Sequence, residues 1–154
     1  MSKSDDLRII AFMCWKWGYG AGDMAGTIRG QYPTLVRPVR VTCTGRVSVD
    51  LVMRSFGRGA DGVALIGWYL DECDYASGSR FSTRIVDYLK GVLNSVGLEP
   101  ERIQKHFCSA AEGQKFQSTM IHMSQQITEL GPNPIREEIK KEKEKLEKKT
   151  TKKE

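Results

Sequence analysis

The stretch Gly62-Val-Ala-Leu-Ile-Gly-Trp68 decides the fold. Every residue in it is apolar or glycine, so a strand formed here has no polar face to turn to water. Such a strand belongs in the middle of a parallel sheet covered on both sides. Working outward, three more short apolar runs read as strands: Leu7–Cys14, Val36–Cys43 and Arg102–Cys108. Pro38 lies inside the second and predicts an edge position or a bulge, because proline cannot donate to a ladder. Between the strands lie amphipathic stretches that predict helices over Ala21–Gly30, Ser48–Phe56, Ser79–Val96 and Glu112–Leu130. Ser48 is placed to cap the second. Ile85, Leu89, Val92 and Val96 give the third its apolar stripe. Gly131 and Pro132 stop the fourth.

The order βαβαβαβα argues for a single doubly wound, flavodoxin-like α/β domain with a mostly parallel sheet. Its expected extent is residues 1–132, followed by a charged tail, helical or disordered, over 133–154. Ile135, Ile139 and Leu146 are that tail's only apolar residues, so it reads as a solvated segment or a thin docking helix. In sheets of this kind ligands bind at the carboxyl ends of the strands.

A chain of 154 residues fits one domain with a sizeable core. No apolar run approaches the ~20 residues of a membrane span. The opening MSKSDDLRII lacks the pattern of a signal peptide, so the protein reads as cytoplasmic. Of the net charge of +5, residues 136–154 supply +3, from nine Lys or Arg against six Glu. The body is nearly neutral and shows no basic face with interleaved aromatics, which argues against nucleic-acid binding.

The four cysteines are Cys14, Cys43, Cys73 and Cys108, spaced by 29, 30 and 35 residues, about one βα unit each. None belongs to a CxxC pair. Cys14, Cys43 and Cys108 end strands, and Cys73 lies in the loop after the third. All four are therefore expected at the carboxyl edge, where thiolates hold an iron–sulfur cluster or a tetrahedral zinc. Taken singly, each is more readily a small core residue than a ligand. Trp15, Trp17 and Trp68 lie at strand ends and would wall such a site from water. The segment GAGDMA at Gly20–Ala25 matches a dinucleotide fingerprint only formally, since no acidic residue follows about 20 positions on.

The runs FMCWKWGYGAGDMAG, RGQYP, VTCTGRV, GADGVALIGWYLDECDY, LNSVGLEPERI and SAAEGQKF occur in that order. Together they resemble the delta (iron–sulfur) subunit family of methyl-viologen-reducing hydrogenase, over about residues 7–132. The resemblance implies a 2Fe-2S cluster. It also implies an electron-bridging role from a hydrogenase or formate dehydrogenase to the flavin-bearing subunit of heterodisulfide reductase, in an electron-bifurcating complex of methanogenic archaea. Cys14, Cys43 and Cys73 stand on cysteine positions of the family. Trp17 and Trp68 stand where the family has cysteines, and Cys108 where it commonly has none. Cofactor-binding residues are therefore expected at Cys14, Cys43, Cys73 and Cys108, with Cys108 as a relocated ligand. The competing expectation is a cluster-free adaptor whose tryptophans fill the vacated space.

Other residues have plainer readings. Arg46 reads as a donor toward the cluster or as a solvated helix-entry arginine. Asp23 reads as a cap of the first helix. Asp71, Glu72 and Asp74 flank Cys73 and would lower a cluster's potential or solvate the loop. His106 lies two residues before Cys108 and should share its face; His122 is isolated. A phosphatase-like cysteine enzyme would need an arginine closing the loop after Cys14, and CWKWGYGAGD has none. No acid–base pair is evident, which suits a protein that passes electrons.

Overall fold

The computed structural model describes residues 6–136, together with 138 and 141. Its strands are β1 (Ile9–Cys14), β2 (Val36–Val41), β3 (Gly62–Gly67) and β4 (Ile103–Phe107). Its helices are α1 (Gly18–Thr27), α2 (Val49–Gly57), α3 (Gly78–Ser95) and α4 (Gly113–Leu130). The strands form one sheet in the order β2-β1-β3-β4, and every pairing is parallel.

All six residues of β3 are buried, as its apolar sequence requires. β2 is an edge strand, so the missing N–H of Pro38 faces no neighbour. Side-chain alternation splits the core in two. Ile9, Ala11, Met13, Ala64 and Ile66 pack on one face against Ala21 and Ala25 of α1 and Phe116, Met120, Met123 and Ile127 of α4. Phe12, Val63, Leu65 and Ile103 pack on the other against Val52 and Phe56 of α2 and Val86, Leu89 and Leu93 of α3. The sheet is thus covered on both faces, as a parallel sheet must be.

Ser48 caps α2, its hydroxyl accepting from the Leu51 N–H at 3.2 Å. α4 ends at Gly131, whose φ of 77° suits glycine. Asp23 does not cap a helix: α1 starts at Gly18, so Asp23 lies in its interior. The same early start places Gly20–Ala25 inside the helix, and the dinucleotide fingerprint has no strand-to-helix turn on which to act.

The packed body runs on past Pro132. Asn133 is fully buried and donates to the carbonyls of Phe56 and Ala60, while its N–H donates to Asp61. Arg136 pairs with the buried Asp61 at 3.0 Å and donates to the Asp6 carbonyl. Most of the charged tail lies outside the described residues. Among the described residues no helix is long and apolar enough to cross a membrane.

Candidate functional site

Three of the four cysteines line one small cavity at the carboxyl edge. Cys14 ends β1, Cys43 follows β2, and Cys73 comes from the loop before α3; Trp17, Trp68, Thr44, Asp74 and Ser79 complete the wall. The open space inside is about 10 Å³, roughly one water. A larger groove of about 840 Å³ adjoins it, shares Cys43 and Tyr75 with it, and carries Arg40, Arg46, Gly78 and Phe81.

The start of α3 brings two of the sulfurs together. A Cβ on Gly78 would meet Cys43 Sγ at 2.5 Å and Cys73 Sγ at 3.3 Å, so the sulfurs occupy the space that only glycine leaves open. Backbone N–H groups point at the sulfurs: Trp17 donates to Cys14 and Gly45 to Cys43, each at 3.4 Å. Burial raises the Cys43 thiol above its usual range; the Gly45 N–H opposes this, and the neighbouring Cys73 and Cys14 add to it. Burial acts the same way on Cys73. There the N–H of Tyr75 and the hydroxyl and N–H of Ser79 outweigh it and hold the thiol below its ordinary value. Cys73 is therefore more readily made a thiolate than Cys43.

Cys108 lies elsewhere. It packs in the apolar cluster with Ala64, Ile66 and Phe116, on the α1/α4 face of the sheet. The cavity opens toward α3, beside Thr44 and Ser79. Burial pushes the Cys108 thiol up to about 11. His106 belongs to the same face and is held to about 4 by burial, with Lys105 and His122 adding to the effect. His106 and His122 line a separate groove along β4 with Gln104 and Gln126.

Two indoles stand between the cysteines and solvent. Trp17 and Trp68 stack with ring centroids 3.9 Å apart. Trp17 Nε1 donates to Asp74 at 2.6 Å, and Lys16 pairs with the same carboxylate at 3.0 Å. Trp68 Nε1 is buried without a hydrogen-bond partner among the described residues. Trp15 borders the cavity but is half exposed. Asp71 pairs with Arg80 rather than with the site.

The residue that sequence reasoning missed is Lys105. Its Nζ is buried with no hydrogen-bond partner among the described residues. Burial lowers it to about 8, while the sulfurs of Cys14, Cys73, Cys43 and Cys108, in that order, hold it up. It alternates with Ile103 and Phe107 onto the α3 face, where its terminal amine is shielded from water.

Among the described residues no three His, Cys, Asp or Glu side chains stand close enough to hold a single metal ion. A binuclear cluster spreads its thiolates over two irons and asks for wider spacing. By donor type Cys14, Cys43 and Cys73, at one cavity, suit such a group, while Cys108 sits on the opposite face of the sheet and is not brought to them. The cavity suits it by charge as well, since the buried Lys105 ammonium shares the room beside Gly67 with Thr44, a residue of the cavity wall.

Comparison with known proteins adds the family. The model for the methyl-viologen-reducing hydrogenase delta subunit matches residues 9–131. The vhu iron-sulfur subunit of the F420-non-reducing hydrogenase of Methanocaldococcus jannaschii is 43% identical over 131 residues, 85% of this chain and 98% of that protein. Its namesake in Methanopyrus kandleri is 42% identical over 129 residues, 84% of this chain and 98% of that protein. One subunit of the Ferredoxin:CoB-CoM heterodisulfide reductase of Methanosarcina mazei is 35% identical over 140 residues, 91% of this chain but only 17% of that longer protein.

Proposed function

The chain belongs to the methyl-viologen-reducing hydrogenase delta-subunit family, and from that premise we propose that it is an iron–sulfur electron-transfer subunit. It passes electrons from a hydrogenase, or a formate dehydrogenase, to the flavin-bearing subunit of heterodisulfide reductase in an electron-bifurcating cytoplasmic complex. The observation that carries this reading is the meeting of Cys14, Cys43 and Cys73 at one cavity. A bound 2Fe-2S cluster would supply one-electron redox chemistry. The protein's part is to supply thiolates, keep water out with Trp17 and Trp68, and aim backbone N–H groups at the sulfurs, which tunes potential.

The partners follow from the relatives. Two of them carry the words hydrogenase and iron-sulfur in their names. A third holds a homologous stretch within a heterodisulfide reductase polypeptide. A domain found inside that polypeptide is suited to dock beside it when it is a separate chain.

Anaerobic purification with counts of iron and sulfide per chain, and an EPR spectrum of the reduced protein, tests this reading. About two irons and two sulfides are expected. They should be lost in the C14S, C43S and C73S variants. The C108S variant decides whether the fourth thiolate is Cys108: loss of iron there makes it a ligand, and full iron places the fourth ligand elsewhere. A second reading has its own observation. The cavity holds about one water and is walled by stacked indoles, which favours a cluster-free adaptor joining the same partners. Iron-free protein that still forms the complex would establish that reading.

A further inference from the structure

We propose that Lys105 is the counter-charge of the cysteine edge, a positioning residue whose fixed positive charge favours the reduced state of the group held there and raises its potential. The inference rests on the iron–sulfur reading above. An ammonium is rarely buried without an anion beside it, because removing it from water is costly. Here Lys105 Nζ is buried and has no hydrogen-bond partner among the described residues. The ammonium shares the room beside Gly67 with the Thr44 hydroxyl, and Thr44 lines the cavity of Cys14, Cys43 and Cys73, whose sulfurs would hold its charge up. Neutral thiols do not balance an ammonium; thiolates do.

The fold makes a place for this charge. A Cβ on Gly67 would meet Lys105 Nζ and Thr44 Oγ1 at 2.9 Å each, so glycine at the end of β3 opens the room the ammonium takes. The Phe107 ring lies 4.9 Å from the ammonium and supports it from the side. When the edge accepts one electron, no bond forms or breaks and its negative charge grows by one. A cation fixed nearby is worth more to that state than to the oxidised one.

The test compares K105M and K105R with the wild-type chain, each purified anaerobically, counted for iron and titrated with dithionite while the reduced EPR signal is followed. K105M is expected to hold wild-type iron with a lower midpoint potential, by at least a tenfold change in the reduction equilibrium, about 59 mV for one electron. K105R is expected to stay near wild type. Loss of iron from K105M with full loading of K105R would also support the counter-charge. Wild-type potential in a loaded K105M, or equal loss of iron from both variants, would overturn it and leave the iron–sulfur reading standing. A wild-type chain without iron would overturn both.

Discussion

At the scale of single residues, the site depends on what is absent as much as on the sulfurs. Gly78 is the clearest case, since any Cβ there would come to 2.5 Å from Cys43 Sγ, closer than packing allows. G78A is therefore expected to keep its helical circular dichroism and to bind less than half the wild-type iron. Full iron in a folded G78A would show that the two sulfurs can move apart without losing the group. The convergence of cysteines was legible because strand ends gather at one edge in a parallel sheet. The face each sulfur takes was not. Cys14 follows Ile10 and Phe12 in alternation, whereas Cys108 continues the register of Gln104 and His106 on the opposite face. Lys105 was illegible for a different reason: a charged residue in a short strand reads as solvent-facing until a helix is known to cover it.

At the scale of elements, the link between β4 and α4 is made by a buried arginine. Arg102 has its guanidinium fully buried and donates to the carbonyls of Asp61, Gly131 and Leu130 and to the Glu99 carboxylate at 2.6 Å. R102M leaves those buried carbonyls unpaired, at about 1–3 kcal/mol for each that stays without a donor, and a loss of that order is expected in urea unfolding. The hydrogen bond from Arg102 holds the Glu99 carboxyl below its usual range, and burial only partly opposes it. A carboxyl lowered in the folded state stabilises above its unfolded pKa, and that stability fades as pH falls through the folded value. E99Q should therefore have a lower Tm than wild type at neutral pH, with the gap closing in acid as Glu99 takes up its proton. S48A, which removes the cap of α2, should cost about 1 kcal/mol in the same unfolding assay. The element pattern was readable because each helix is amphipathic and each strand short and apolar. The start of α1 was misjudged because a glycine-rich sequence reads as a turn, whereas here Gly18, Gly20 and Gly22 lie inside the helix.

At the scale of the whole molecule, the body closes with the residues just after α4. Asp61 is fully buried, and its carboxylate accepts from the N–H groups of Arg8 and Asn133 and pairs with Arg136. A chain ending at residue 132 is expected to unfold at markedly lower temperature than one ending at residue 136, since it leaves that carboxylate without its cation. Equal melting temperatures would show that the knot around Asp61 is dispensable. Composition signalled a tail, because the apolar residues nearly vanish after Pro134. It gave no sign that Asn133 is a buried hinge pin, because asparagine is usually a surface residue.

Arg136 reaches back to the Asp6 carbonyl, so the chain enters and leaves the body at one corner. That corner adjoins the amino ends of the strands, while the sulfurs lie a strand length away, ~20 Å. That corner therefore offers a point of attachment: a tether or a second polypeptide joined there would start from the end of the sheet opposite the cysteine cavity.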